Sequence, residues 1–326
     1  MVQAIDVHNH YYPENYLDAL DDSEGSYSLS SDEAGRDVIV SNGSRVVTLT
    51  PPMTDLAVRK RHMADAGIDQ QLLSVSIPNI DFLEGEAALE LAQVSNDAYA
   101  EIQKNHDEFY GLACVPLRTP ELAVEEARRA IEDLGLKGIN IGSNINNQPL
   151  TANRFRQFFE AVDELDVPLY IHPMPPANVD TMQEHRLAPL VGFENDLTLA
   201  ITRLIFDGVL EEFDLDIHVS HLGGTIPFLV ERLNNGYQAY PECRENISKK
   251  PEQYLREIYY DTVSFHEPAL VCTMESVGAD QLLLGSDYPH VIGDINRAKA
   301  DIENLEISHS DRMKIAHSNA KDLYDL

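Results

Sequence analysis

Short apolar runs rich in β-branched residues alternate along the chain with longer stretches in which apolar residues recur every three or four positions. The runs are typical of buried parallel strands, and the longer stretches are typical of helices that cover a sheet. Eight strands are predicted, at Ala4–His8, Gln70–Ser76, Tyr110–Val115, Gly138–Gly142, Pro168–His172, Asp216–Ser220, Ile258–Thr262 and Gln281–Gly285. The helices predicted between them are Asp55–Ala66, Gly85–Asn105, Glu121–Leu134, Arg154–Leu165, Leu197–Phe213 and Ile226–Gly236. This alternation predicts an α/β fold, a (β/α)8 TIM barrel.

Two polar segments interrupt the alternation. Segment 13–50 follows the first strand, is rich in Ser, Asp and Gly, and contains a weak hairpin signal at Asn42-Gly43. We expect it to be an insertion that lies over the barrel mouth, within a single domain that spans residues 1–326. The second segment, Pro173–Phe193, follows the fifth strand, and residues 311–326 are predicted to form a closing helix.

The chain is strongly acidic, and this charge limits its partners. With 24 Lys and Arg against 55 Asp and Glu, the formal charge of the 326 residues is −31. A field of that sign repels nucleic acids and anionic membranes, so neither is expected as a partner. Of the basic residues, 8 are Lys and 16 are Arg. An acidic surface with few lysines suits the salt-rich cytoplasm of a halophilic organism. An ordinary acidic enzyme is the alternative interpretation.

The termini and cysteines indicate a cytoplasmic protein. Residues 1–6 lack a basic segment of the secretory type, and no apolar run approaches the roughly 20 residues of a membrane helix. The three cysteines are far apart in the sequence and odd in number, so they predict neither a disulfide framework nor a Cys-based metal site.

Side chains that can bind a metal or move a proton stand where four of the predicted strands end. His8 and His10 lie at the end of the first strand, His172 at the end of the fifth, His221 after the sixth and Asp287 after the eighth. Catalytic groups of a barrel occupy this end of the strands, and His8 and His10 point to the same side of an extended backbone. Imidazoles together with a carboxylate predict a catalytic metal site.

The remaining histidines are interpreted differently. His218 is three residues before His221 on the same strand, so it is expected to face the opposite side and to be structural. His266 and His290 follow the seventh and eighth strands and could lie on the rim of the site. The others fall in predicted helices or loops, where solvated or capping roles are expected: His62, His106, His185, His309 and His317.

The motifs at the strand ends resemble those of the amidohydrolase superfamily, in the group typified by aminocarboxymuconate-semialdehyde decarboxylase. The matching stretches are IDVHNHYYP at 5–13, LKGINIGSN at 136–144, VPLYIHP at 167–173, SHLGGTIPFLVERL at 220–233, YYDTVSFHEP at 259–268 and LLLGSDYPHVIGD at 282–294. The resemblance runs almost end to end and is weakest in segment 13–50. It implies a single-metal enzyme, since the fourth strand offers Asn140 and Ser143 where two-metal relatives have a carboxylated lysine.

The resemblance also implies roles for individual residues. The metal ligands would be His8, His10, His172 and Asp287, holding one divalent ion, with zinc expected and manganese as the alternative. His221 would be the acid/base residue, with Asp287 as a second catalytic group.

Substrate-binding roles follow in the same way. Arg232 matches an arginine that holds a substrate carboxylate in relatives, in some cases across a dimer interface, so a homodimer is expected; a surface arginine is the alternative. Tyr11, Asn144, Met174 and His290 are candidates to line the pocket. One departure is that Arg45-Val46-Val47 is followed by Thr48, where the semialdehyde decarboxylase has a second carboxylate-binding arginine shortly after such a run. The same dicarboxylate substrate is therefore not expected.

Two reactions fit these residues. The first is non-oxidative decarboxylation of a small unsaturated or aromatic carboxylic acid, in which His221 takes a proton and His221 or Asp287 returns one to the carbon that loses CO₂. The second is hydrolysis of an amide, lactone or ester by the same groups. An inactive barrel used only for binding is disfavoured, because every position of the metal site is present.

Overall fold

The computed structural model describes residues 3–326 and contains a barrel of parallel strands. In chain order the strands are β1 (Ile5–His10), β2 (Tyr27–Ser31), β3 (Asp37–Ser41), β4 (Ser44–Thr48), β5 (Gln70–Ser74), β6 (Phe109–Gly111), β7 (Ala113–Cys114), β8 (Ile139–Gly142), β9 (Asn144–Ile145), β10 (Gln148–Pro149), β11 (Leu169–His172), β12 (Ile217–Val219), β13 (Tyr259–Asp261) and β14 (Leu282–Leu283). The barrel strands are β1, β5, β6 with β7, β8, β11, β12, β13 and β14, which lie side by side in that order. They coincide with the eight predicted strands, and the third is interrupted at Leu112.

Hydrogen bonds continue around the barrel where the two main sheets meet. The amide of Leu112 donates to the carbonyl of Leu73 (3.0 Å), and the amide of Ala113 donates to the carbonyl of Gly138 (2.8 Å). On the other side, the amide of Val7 donates to the carbonyl of Leu284 at 2.9 Å. The eighth strand thus pairs with the first, which brings the ends of β1 and β14 together.

Helices cover the outside of this barrel. In chain order they are α1 (Glu14–Asp22), α2 (Pro51–Thr54), α3 (Leu56–Ala66), α4 (Gly85–Asn105), α5 (Pro120–Arg128), α6 (Arg156–Leu165), α7 (Phe193–Phe206), α8 (Val209–Glu212), α9 (Ile226–Ala239), α10 (Pro251–Leu255), α11 (Glu267–Val277), α12 (Ile295–Asn304), α13 (His309–Met313) and α14 (Asn319–Leu323). The predicted bounds of α4 are confirmed. Among residues 3–326, no helix is long and apolar enough to cross a membrane.

Several helix boundaries differ from the prediction, and the structure shows a local reason for two of the differences. Asp55 caps α3 and precedes the helix, since its carboxylate accepts from the amides of Ala57 (2.7 Å) and Val58 (3.1 Å). The helix predicted at Leu197–Phe213 begins earlier, at Phe193, and is split in two at Gly208. Gly208 has a φ of 76°, a left-handed conformation that ends α7 and starts α8.

Segment 13–50 contains helix α1 and a separate antiparallel sheet of β2, β3 and β4. The predicted hairpin is present as β3 and β4, with Asn42 and Gly43 at positive φ in the turn. The segment is anchored on the loop that follows β5, because the Tyr16 hydroxyl donates to the carbonyl of Asn79 at 2.7 Å and the Tyr27 ring packs on Phe82.

Residues of α14 and the position after it close the barrel at the end where the strands begin. Leu323 and Tyr324 pack in a buried cluster with Ile5, Val7 and Leu72 from the first two barrel strands. This cluster fills the interior below the strand ends that carry the histidines. The histidines predicted as ligands lie at the opposite, carboxyl ends of the strands, where barrels of this type carry their catalytic groups.

Candidate metal centre and active site

Histidines and a carboxylate converge at the carboxyl ends of the barrel strands. His8 and His10 end β1, His172 ends β11, and Asp287 follows β14, whose neighbour is β1. Nitrogen atoms of His8, His10 and His172 lie within 4.8 Å of one another. The Asp287 carboxylate lies 3.5 Å from His8 Nε2 and 3.3 Å from His10 Nε2. The four side chains predicted as metal ligands are therefore adjacent.

Two ring nitrogens in this cluster have no hydrogen-bond partner. The Nε2 atoms of His8 and His10 are buried, and nothing in residues 3–326 satisfies them. Buried polar atoms normally find a partner, so these two mark a site for something else. His8 is also fixed in orientation, because its Nδ1 lies 2.7 Å from the Asp261 carboxylate. An imidazole held in this way directs its other nitrogen at a metal ion, and the donor set fits a divalent cation.

Electrostatics at three of the four predicted ligands favour the protonation states that bind cations. Burial lowers the pKa of His10 to about 3, and burial and neighbouring imidazoles hold the pKa of His172 well below its usual range. Burial opposes ionisation of Asp287, but the imidazoles of His10 and His8 outweigh it and keep the pKa of Asp287 low. His8 differs: burial is outweighed by Asp261 and Asp287, which raise its pKa to about 10. A cation bound at His8 Nε2 would therefore displace a proton.

Asp261, at the end of β13, connects two parts of the site. One oxygen of its carboxylate faces His8 Nδ1, and the other accepts from the backbone amides of His221 (3.0 Å) and Val263 (3.1 Å). The side chain is fully buried. One carboxylate therefore fixes the ring of His8 and the position of the His221 backbone.

Replacing Asp261 with asparagine is expected to weaken metal binding by roughly 10–100-fold, since partners that orient metal ligands have effects of this size. The amide keeps the shape of the side chain and removes its negative charge. Competition with a metal-chelating dye gives the affinity, and Asp214→Asn, at an exposed aspartate, is the matched control. An unchanged affinity in a folded Asp261→Asn variant would show that Asp261 does not support the site.

His221 lies beside the four-residue cluster and faces a second carboxylate. Its ring centroid is 4.9 Å from that of His8, and a nitrogen of His221 lies within 4.8 Å of ligand atoms of His8 and Asp287. Its Nδ1 is 3.4 Å from Glu194 Oε1. The imidazole is thus close to the cluster without being enclosed by it, which suits a group that transfers protons.

The residues predicted to line the pocket differ in their surroundings. His290 is adjacent to the cluster, since its ring centroid is 4.8 Å from that of His10 and its Nε2 is 2.8 Å from Ser76 Oγ. Tyr11 is buried in the wall, where its hydroxyl donates to the carbonyl of Thr54 at 2.9 Å. Asn144 is also in the wall: its amide donates to Asp196 (2.8 Å) and to the carbonyl of Pro175 (3.1 Å).

Two further pocket predictions lie in different surroundings. Met174 packs against Gly142, where a Cβ atom would come within 2.5 Å of the Met174 side chain. Arg232 is exposed on α9, and within residues 3–326 no hydrogen bond or ion pair joins its side chain to the site. Of these candidates, His290 is the one whose ring nitrogen groups with the predicted ligands His10 and Asp287.

The prediction that His218 faces away from the site is wrong. Its ring is fully buried inside the barrel, with Nε2 3.5 Å from Asp261 Oδ2 and Nδ1 2.7 Å from the Tyr324 hydroxyl. It therefore lies directly beneath the carboxylate that orients His8. The strand twists as it closes the barrel, and His221 belongs to the turn after β12, so counting alternate positions from His221 fails. The structural role expected of His218 agrees with these contacts.

Sequence reasoning missed Asp261, Glu194 and Arg59. Asp261 carried a readable signal, because it is a charged residue at the end of an apolar strand. Glu194 lies beyond the irregular segment after β11, where no pattern indicates which side chain returns to the site. Arg59 is fully buried on α3 and donates to the carbonyl of His10 and to Asn9 Oδ1 (2.9 Å). It supports the backbone of the β1 histidines from outside the barrel.

Comparisons with known proteins agree with this architecture. The family model described as Amidohydrolase matches residues 5–326. A 2-amino-3-carboxymuconate-6-semialdehyde decarboxylase of Dictyostelium discoideum is 29% identical over 99% of this chain and 91% of its own. A gamma-resorcylate decarboxylase of Rhodococcus jostii is 30% identical over 82% of this chain and 87% of its own.

A solved structure is similar over the whole length. The dihydroxybenzoic acid decarboxylase of Polaromonas sp. JS666, described with bound manganese and the inhibitor 2-nitroresorcinol, has a TM-score of 0.81 and 27% identity, covering 100% of this chain and 98% of its own. The match of the family model to nearly all residues, together with the strand-end histidines and the closed barrel, establishes the relationship. The chain belongs to the amidohydrolase family.

Proposed function

We propose that the protein is a metal-dependent, non-oxidative decarboxylase of a small unsaturated or aromatic carboxylic acid. The observation that carries the proposal is the pair of buried, unpartnered Nε2 atoms of His8 and His10 beside Asp287, with His221 next to them. The similarity to the Rhodococcus and Dictyostelium proteins, both named decarboxylases, favours this reaction over others in the family.

The metal site in this proposal consists of His8, His10, His172 and Asp287 and holds one divalent ion. Three imidazoles and one carboxylate suit both zinc and manganese. The manganese in the similar Polaromonas enzyme favours manganese over the zinc expected from the sequence. When bound, the ion would act as a Lewis acid that polarises a substrate oxygen.

The side chains of this chain would provide the proton chemistry. Decarboxylation breaks the bond between the carboxylate carbon and the adjacent carbon, whose electron pair must be captured by a proton as CO₂ leaves. A nitrogen of His221 lies close to ligand atoms of His8 and Asp287, so His221 is placed to hold and deliver that proton. Asp287 is the second candidate donor, and His290 borders the same space.

The test is CO₂ release by the metal-loaded protein from a panel of carboxylic acids in high salt. The panel includes hydroxybenzoates, an aminobenzoate and an unsaturated aliphatic acid, with lactones, esters and amides assayed in parallel. Release of one CO₂ per product from an acid supports the proposal. Turnover of a lactone, ester or amide without decarboxylation of any acid would favour the hydrolase alternative and overturn it.

Arg232 fits the proposal only if a second copy of the chain is present. Its side chain is exposed on α9, a helix that also presents Phe228 with 87% of its surface exposed. An apolar ring and an arginine on one exposed helix support a homodimer in which Arg232 reaches the partner's site. Segment 13–50 is proposed to lie across the mouth of the same barrel as part of a single domain.

Salt adaptation is a separate proposal, carried by the net charge of −31. We expect the melting temperature to rise from dilute buffer to molar KCl, because salt screens repulsion between the acidic groups. Differential scanning calorimetry along a KCl series measures this effect, and a series in sucrose controls for preferential exclusion. A melting temperature that is flat or falling with KCl would contradict the proposal.

A further inference from the structure

Glu194 is a carboxylate that the proposed chemistry leaves without a role. It lies in the first turn of α7, and its Oε1 is 3.4 Å from Nδ1 of His221. Only 29% of its side chain is exposed. A carboxylate this close to one nitrogen of an imidazole favours a proton on that nitrogen. In the neutral ring the other nitrogen then carries no proton and is the acceptor.

The turn after β12 brings Glu194 to this position. A Cβ atom at Gly224 would lie 2.2 Å from the carbonyl oxygen of Glu194, so only glycine lets the turn approach α7 so closely. Thr198 holds the contact, because its hydroxyl donates to the Glu194 carbonyl at 2.7 Å and accepts from the amide of Thr225 at 2.9 Å. The start of α7 and the turn that carries His221 therefore form one packed unit.

The backbone of His221 is fixed by hydrogen bonds, whereas its ring nitrogen Nδ1 faces the Glu194 carboxylate. His221 and Leu222 both have a φ of 53°, a costly conformation for residues other than glycine. The His221 amide is anchored by Asp261, and the His221 carbonyl accepts from the amide of Gly224 at 2.9 Å. These hydrogen bonds fix the backbone from which the His221 side chain projects. They do not determine which ring nitrogen carries the proton.

We infer that Glu194 is a positioning residue for His221: it holds the proton on Nδ1 and leaves Nε2 as the nitrogen that exchanges a proton with the substrate. The part that a substrate plays in this proton exchange rests on the proposed function. The tautomer of His221 does not depend on the reaction and can be measured without it. Neutral imidazoles can carry their proton on either nitrogen, and a fixed acceptor selects one.

The direct test is nuclear magnetic resonance of zinc-loaded protein labelled with ¹⁵N-histidine, with the His221 signals assigned by their loss in His221→Asn. The wild type is expected to show the Nδ1–H tautomer, and Glu194→Gln is expected to show a mixture of tautomers or the Nε2–H form. Glu194→Asp, which keeps the charge, should restore the Nδ1–H form in part. A wild-type His221 in the Nε2–H form, or an Nδ1–H form unchanged by Glu194→Gln, would overturn the inference.

Kinetics on the same variants separates positioning from substrate binding. In Glu194→Gln, kcat should fall by roughly 10–100-fold with little change in KM, the usual size of effects from orienting partners. Glu184→Gln removes an exposed carboxylate from the same segment after β11 and should match the wild type. A raised KM with unchanged kcat would mean that Glu194 contacts substrate, which would also overturn the inference. If the wild type released no CO₂ from any acid, the proposed function would fail, while the tautomer result would still decide the role of Glu194.

Discussion

Replacing both His8 and His10 with alanine is expected to reduce the bound divalent metal from near one equivalent per chain to less than about a tenth. The change removes two of the four proposed ligands, and two remaining side chains rarely hold a catalytic ion. Both rings are buried, and their Nε2 atoms face Asp287 without a hydrogen-bond partner. A side chain on the protein surface therefore cannot take their place as a metal ligand. Elemental analysis of protein purified without chelators measures the metal and also identifies it.

The control for this double variant is His309→Ala, which removes an exposed imidazole. It should keep its full metal content. Because His8 and His10 are buried, circular dichroism is measured on both variants to verify that they fold. A folded His8→Ala/His10→Ala protein with near one equivalent of metal would show that the ion is held elsewhere.

His221→Asn should keep the metal and lose turnover by about 10²–10⁴-fold, the usual contribution of a general acid or base. The substitution removes the imidazole that is proposed to transfer the proton and leaves the proposed ligands in place. Its backbone amide can still donate to Asp261. Metal content and initial rates are measured on the same preparation.

The outcomes of this variant separate three roles. Loss of metal together with activity would make His221 a ligand, and retained activity would make it a bystander. His309→Asn, at an exposed histidine of α13, is the matched control and should match the wild type in both measurements. Only retained metal with lost turnover agrees with proton transfer by His221.

The barrel and the convergence of its histidines could be predicted from the sequence because both follow from local signals. Apolar runs fix the strands, and parallel strands of a barrel place their carboxyl ends at one mouth. His8, His10, His172 and Asp287 are therefore brought together by topology alone. The same reasoning could have included Asp261, which ends β13.

The remaining features depend on contacts that no local pattern encodes. Glu194 reaches His221 only because Gly224 permits close packing of α7 on the turn after β12. The position of His218 beneath Asp261 depends on the twist of the closed barrel and on Tyr324 from the chain terminus. Side chains such as Asn144 look available in the sequence, and their hydrogen bonds within the protein become visible only in the structure.

The measurement that tests the central claim most directly is product analysis in D₂O with an acid that the panel identifies as substrate. We expect one CO₂ per product and one deuterium on the carbon that lost the carboxylate. CO₂ release and deuterium incorporation should both stop when the metal is removed by a chelator, and both should recover when manganese or zinc is restored. Mass spectrometry and ¹H nuclear magnetic resonance report these quantities together. Turnover that persists in chelated, metal-free protein, or a product that retains its carboxylate, would contradict the account.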